Sequence, residues 1–83
     1  MGPRVTIFSR PGCHLCDEAK AAIEGVRGQA DFDLAEVNID SDRELQRLYG
    51  EEIPVVTIDG RKAFKYFVDP AEFLKKLRAR PTE

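Results

Sequence analysis

The chain has no tryptophan, a single histidine and only two cysteines among its 83 residues. Two cysteines cannot make the disulfide framework of a small secreted protein. Two cysteines, with the one histidine between them, also fall short of the four thiolate and imidazole ligands of the usual closed zinc site; Asp17 could add an oxygen, but one chain cannot build that site from thiolates and imidazole. Long apolar runs are missing too. None approaches the roughly 20 residues of a membrane span, and Val5 to Phe8 is far too short for the apolar region of a secretory signal. Charge of one sign is not in excess, with 13 basic against 15 acidic residues, so there is no electrostatic footprint for nucleic acid. Repeats, linkers and low-complexity stretches are absent. These absences set the expectations: no membrane partner, no nucleic acid, no metal site within one chain, and a reducing cytoplasmic compartment. The start Met1-Gly2-Pro3-Arg4-Val5-Thr6 fits the loose myristoylation pattern, but Thr6 falls inside a predicted strand and the match is read as accidental.

What is present suits one compact domain over residues 1–83, with 42% apolar and 34% charged residues and a core of modest size. Arg4 to Ser9 is rich in β-branched and aromatic residues and reads as a buried strand. Arg10-Pro11-Gly12 breaks it. Leu15, Ala19, Ala22, Ile23 and Val26 then recur on one helical face, with Asp17 and Glu18 in the first turn and Gly25 and Gly28 at the end. Phe32 to Ile39 reads as a second strand whose alternation changes phase between Leu34 and Ala35, so the strand starts late or carries a bulge. Ser41-Asp42-Arg43-Glu44 has capping-box spacing and opens a short helix burying Leu45, Leu48 and Tyr49, with Gly50 as its stop.

Pro54 precedes a third strand, Val55 to Ile58. Asp59-Gly60 signals a hairpin, and Arg61 to Phe67 returns. Asp69 caps a last helix with Pro70 at its first position; Phe73, Leu74 and Leu77 form its apolar face, and Lys75, Lys76, Arg78 and Arg80 crowd its end. The order β-α-β-α-β-β-α predicts an α/β fold, one mixed four-stranded sheet flanked by helices. Tyr49, Tyr66, Phe64 and Phe73 are expected as core or half-buried residues rather than a stacking platform for bases. Arg61, Lys62 and Lys65 read as a solvated hairpin, with docking of an acidic partner as the alternative.

Cys13-His14-Leu15-Cys16 falls where chemistry is available. It follows a buried strand and a Pro-Gly turn and opens a helix, where free N–H groups and the helix dipole stabilise an anion. That lowers a thiol from its reference value of about 8.5. Cys16 lies one turn along the same face, within disulfide reach. His14 can add positive charge or donate a hydrogen bond to its neighbour. The expected chemistry is thiol–disulfide exchange, with Cys13 as nucleophile and Cys16 as resolving thiol. The rival from another class is a metal-thiolate or iron–sulfur carrier sharing its site across a dimer.

Val5-Thr6-Ile7-Phe8-Ser9-Arg10-Pro11-Gly12-Cys13-His14-Leu15-Cys16 resembles the opening of a glutaredoxin. With Asp17-Glu18-Ala19-Lys20 following, it resembles more narrowly the small bacterial glutaredoxin-like proteins of the thioredoxin superfamily. Ile53-Pro54-Val55-Val56 resembles the segment carrying the cis-proline loop in that superfamily. The resemblance implies a thioredoxin fold and a monomeric cytoplasmic oxidoreductase serving electron transport and cell redox homeostasis. It implies no bound cofactor, with glutathione as a possible co-substrate. The implied partners are a disulfide-containing protein or a glutathione mixed disulfide, with glutathione or a thioredoxin-type reductase as electron donor. It further implies a cis bond before Pro54, strand-like pairing of substrate with the Ile53 backbone, and a glutathione carboxylate contact from Arg10. The departures are equally specific. Glutaredoxins carry a Gly-Gly pair near the positions of Phe64 and Lys65. Thioredoxins carry a tryptophan and a buried acid where Gly12 and Ile7 stand. Asp69 is a further candidate glutathione contact whose helix-cap role already accounts for it.

Overall fold

The computed structural model describes residues 2–78; the readings placed on Met1 and Arg80 lie outside them. The elements are β1 (Arg4–Ser9), α1 (His14–Glu24), β2 (Asp33–Asn38), a single 3-10 turn (Ile39–Ser41), α2 (Arg43–Tyr49), β3 (Val55–Ile58), β4 (Arg61–Lys65) and α3 (Pro70–Arg78). The strands form one four-stranded sheet in the order β2-β1-β3-β4. β1 and β2 run parallel, Arg4 opposite Asp33 through Ser9 opposite Asn38. β3 is antiparallel to both β1 and β4. The expected α/β architecture and element order are therefore present, with the 3-10 turn added.

Alternation along β1 and β3 divides the packing between two faces. Val5, Ile7, Val56 and Ile58 join Ala19 and Ile23 of α1 and Phe73 and Leu77 of α3 in one buried cluster. Phe73 is its largest fully buried side chain and meets Phe32 edge-on, with ring centroids 5.5 Å apart. Full burial of such a ring contributes roughly 1.5–3 kcal/mol, a sizeable share of what a domain this small retains. On the other face Phe8 stacks on Tyr49 of α2 at 4.6 Å; Val55, Thr57 and Ile39 are buried as well.

Several local expectations change. The capping residue of α2 is Asp42, not Ser41: Asp42 is extended and its Oδ1 accepts the N–H groups of Glu44 and Leu45 at 2.8 and 3.3 Å. Ser41 ends the 3-10 turn and donates its hydroxyl to the Asn38 carbonyl. Leu15 and Leu48 are exposed at 46% and 48%, because α1 and α2 present those positions past the edge of the packed face. β4 stops at Lys65 because Tyr66 takes a left-handed φ of 74°. This turns Tyr66 and Phe67 outward, exposed rather than half-buried. Neither explanation for the phase change in β2 holds: the strand begins at Asp33, ahead of Leu34, and its register with β1 is unbroken, so the change of phase reflects a carboxylate, Glu36, on the side of Leu34. The irregularity lies instead in β3 and β4, between Val56 and Thr57. Asp59 and Gly60 both have positive φ, as a type I′ hairpin requires. Asp69 caps α3 as expected, its Oδ1 accepting the Ala71 N–H at 2.9 Å.

Candidate active site

β1 delivers the chain to a tight turn at one end of the sheet. Gly12 has φ +79°, and a Cβ there would meet nothing within 4 Å; the backbone conformation, not crowding, calls for glycine. The turn ends on Cys13, which is the N-cap of α1 with extended φ and ψ of −90° and 108°. A cap side chain is ordinarily an oxygen that accepts an N–H of the first turn. Here the acceptor is sulfur: Cys13 Sγ takes the Cys16 N–H at 3.1 Å, and the Cys13 carbonyl takes the Asp17 N–H at 3.2 Å. The local sequence thus builds a sulfur directly into the donor array that opens a helix.

Cys13 and Cys16 are joined as a disulfide with Cα atoms 5.2 Å apart, well inside disulfide range. Their surroundings differ. Cys13 is half-buried at the start of the helix, whereas Cys16 is 3% exposed. His14 and Leu15, between them, face solvent.

The sheet brings the Pro54 segment to the same end. Val55 lies opposite Phe8, so Pro54, one residue earlier, stands where β1 runs into the cysteine turn. Pro54 is buried and the Ile53–Pro54 bond is cis. The Pro54 carbonyl accepts the Tyr66 N–H at 2.9 Å. Among the described residues the half-buried Ile53 makes no backbone hydrogen bond. Arg10 lies on the other side of β1. Its Nε donates to Asp40 Oδ1 at 3.2 Å, so the structure ties it to the 3-10 turn after β2 and not to Ile53 and Pro54. The basic hairpin is partly neutralised, with Lys62 and Lys65 sharing the Glu52 carboxylate at 2.7 and 3.9 Å.

One cluster beside the turn escaped the sequence. Glu36 of β2 accepts Lys20 Nζ at 2.9 Å and the hydroxyl of the buried Ser9 at 3.2 Å. The Lys20 hydrogen bond holds the Glu36 carboxyl below its ordinary range, helped by Ser9 against the cost of desolvation. The same bond and the charge of Glu36 raise Lys20. Glu36 sits opposite Ile7 in the β1–β2 register. The signal for it was the phase change in β2: a carboxylate occupies a position that alternation assigns to the packed face, because a lysine and a serine meet it there. Among the described residues no group of three His, Cys, Asp or Glu side chains converges as a metal site would need. No helix among them is long and apolar enough to cross a membrane.

Comparison with known proteins agrees with this geometry. The model of the glutaredoxin-like domain (DUF836) matches residues 4–78. A glutaredoxin-like protein of Dictyostelium discoideum, the YDR286C homolog, is 32% identical over 71 residues, covering 78% of this chain and 66% of that one. Among solved structures, protein XcR50 of X. campestris superposes with a TM-score of 0.77 at 33% identity, covering 93% of this chain and 99% of that one. A thioredoxin of Halobacterium salinarum, at 20% identity, shares the fold with a TM-score of 0.66 over 93% of this chain and 73% of its own. Fold, paired cysteines and family match converge: the chain belongs to the glutaredoxin-like domain family, built on the thioredoxin fold.

Proposed function

We propose that this protein is a thiol–disulfide oxidoreductase that reduces disulfides through the Cys13–Cys16 dithiol. One observation carries the reading. The sulfur of the half-buried Cys13 is the cap of α1 and accepts the Cys16 N–H, while its partner, one turn on, is buried. A hydrogen-bond donor and helix N-terminus favour the thiolate over the thiol, so Cys13 is the attacking group. Cys16 is kept from competing substrates.

The reaction runs as two exchanges. The Cys13 thiolate attacks one sulfur of the substrate disulfide; that S–S bond breaks and the other substrate sulfur leaves as a thiolate, taking a proton from solvent. A Cys13–substrate mixed disulfide remains. Cys16 then loses its proton to water and attacks Cys13 Sγ, forming the Cys13–Cys16 bond and expelling the second substrate thiolate. Two electrons have passed to the substrate. An external dithiol or two thiols then reduce the Cys13–Cys16 disulfide, the role proposed for glutathione or a thioredoxin-type reductase. The unengaged Ile53 backbone offers a substrate chain a strand-like partner beside Cys13, and Pro54 shapes that groove.

Single-cysteine variants test this. Cys13→Ser should abolish disulfide reduction. Cys16→Ser should still attack and accumulate the mixed disulfide, read by mass spectrometry as the protein plus one substrate chain. Full activity in Cys13→Ser contradicts the assignment. A coloured or zinc-bearing dimer on purification would favour a carrier of metal or cluster instead.

A further inference from the structure

An open pocket of about 330 Å³ lies against the cysteine turn. The Arg10-Pro11-Gly12 turn walls one side, Glu36 and Asn38 of β2 another, and Asp17 of α1 a third. Because β1 separates β2 from β3 in the sheet, this pocket and Pro54 flank the turn on opposite sides. Nothing in the proposed exchange uses it.

Its polar groups are unevenly committed. Arg10 is held by Asp40. Asn38 Oδ1 accepts the Asp40 N–H at 2.8 Å. Glu36 is met by Lys20 and Ser9. Asp17 has no opposite charge at ion-pair distance among the described residues, although the charge of Lys20 reaches it from beyond that distance. An anion entering here would meet two carboxylates and a guanidinium already paired. A cation on an alkyl stem would lay the stem along Pro11-Gly12 and bring its charge to Asp17, in the pocket that Glu36 also lines. Position makes that occupant relevant to catalysis. Gly12 directly precedes Cys13, and the Asp17 N–H is bonded to the Cys13 carbonyl. A chain whose sulfur meets Cys13 therefore holds its neighbouring side chains at the mouth of the pocket.

We propose that this pocket receives a lysine or arginine side chain flanking the substrate disulfide, so that the substrates are proteins with basic residues beside the target bond. The inference rests on the oxidoreductase reading above. The test uses pre-reduced protein oxidised in a single turnover by peptides with one intramolecular disulfide, identical except for a flanking lysine, glutamine or glutamate. The lysine peptide should react about two- to fivefold faster than the glutamine peptide, the range that one exposed ion pair supports, with the glutamate peptide slowest. The ratio should shrink with added salt, fall to about one in Asp17→Asn and invert in Asp17→Lys. Ratios within one variant cancel any effect of the lost carboxylate on Cys13 itself. Equal rates for the three peptides, or a preference untouched by Asp17→Lys, overturn the pocket assignment and leave the redox chemistry standing. Failure of every peptide to oxidise the protein defeats both.

Discussion

A sulfur at the first position of a helix and a sulfur one turn later are the same atom in different company. Cys13 meets a backbone donor at the start of α1 and Cys16 is closed off from water; the division of labour proposed for them rests on that difference. Glu36 illustrates the same dependence on company, through the pH at which it contributes. Its folded-state pKa is depressed by Lys20 and then Ser9. Its contribution to stability is thus present above the unfolded carboxylate value and lost as pH falls through the folded one. Lys20 is raised above its ordinary 10.5, so its contribution is present below that value and lost as pH rises through the folded one. The pair accordingly supports the fold across the neutral range. Glu36→Gln should lower the urea midpoint at pH 7 by the small amount typical of exposed pairs. That deficit should vanish at a pH acidic enough to protonate Glu36 in the folded state, where both proteins carry a neutral side chain. An equal deficit at both pH values would show that the charge is not what matters.

At the scale of elements, local signals decide most of the outcome. β1 starts and stops where its β-branched run does, Asp59-Gly60 turns the hairpin, and Asp69 caps α3. Asp69→Ala should cost about 1 kcal/mol in urea unfolding while leaving the rate of Cys13 alkylation unchanged. An altered alkylation rate with unchanged stability would instead place Asp69 in the site. The elements read less well from sequence are those whose boundaries depend on neighbours. α2 is seven residues long, too short for periodicity to tell which positions are covered, so Leu48 reads as core and is exposed. Its cap was displaced by one residue because Ser41 was already spent closing the 3-10 turn, a feature without a sequence signature of its own. β4 ends early at Tyr66, where a left-handed backbone that propensity disfavours is held by N–H bonds to the Glu52 and Pro54 carbonyls.

At the scale of the whole molecule, the sheet order makes one site from separate stretches. The cysteine turn leaves β1; β3 brings Ile53 and Pro54 to one side of it and β2 brings Glu36 and Asn38 to the other. The cysteine pair was legible because its chemistry is local: a turn, a cap and one helical turn of spacing. The Pro54 side was legible only through family resemblance, since nothing in the residues near Pro54 announces the cysteines. The β2 side left a single trace, the broken alternation at Glu36, whose meaning needed the register to decode. All of these features serve one claim, that the fold makes Cys13 the activated and accessible thiol. Alkylation of the reduced protein with iodoacetamide, followed against pH and located by peptide mass spectrometry, tests it most directly. The account predicts modification at Cys13, with a midpoint below the free-thiol value of about 8.5, while Cys16 stays unmodified. Equal modification of both cysteines, with a midpoint at or above that value, would contradict it.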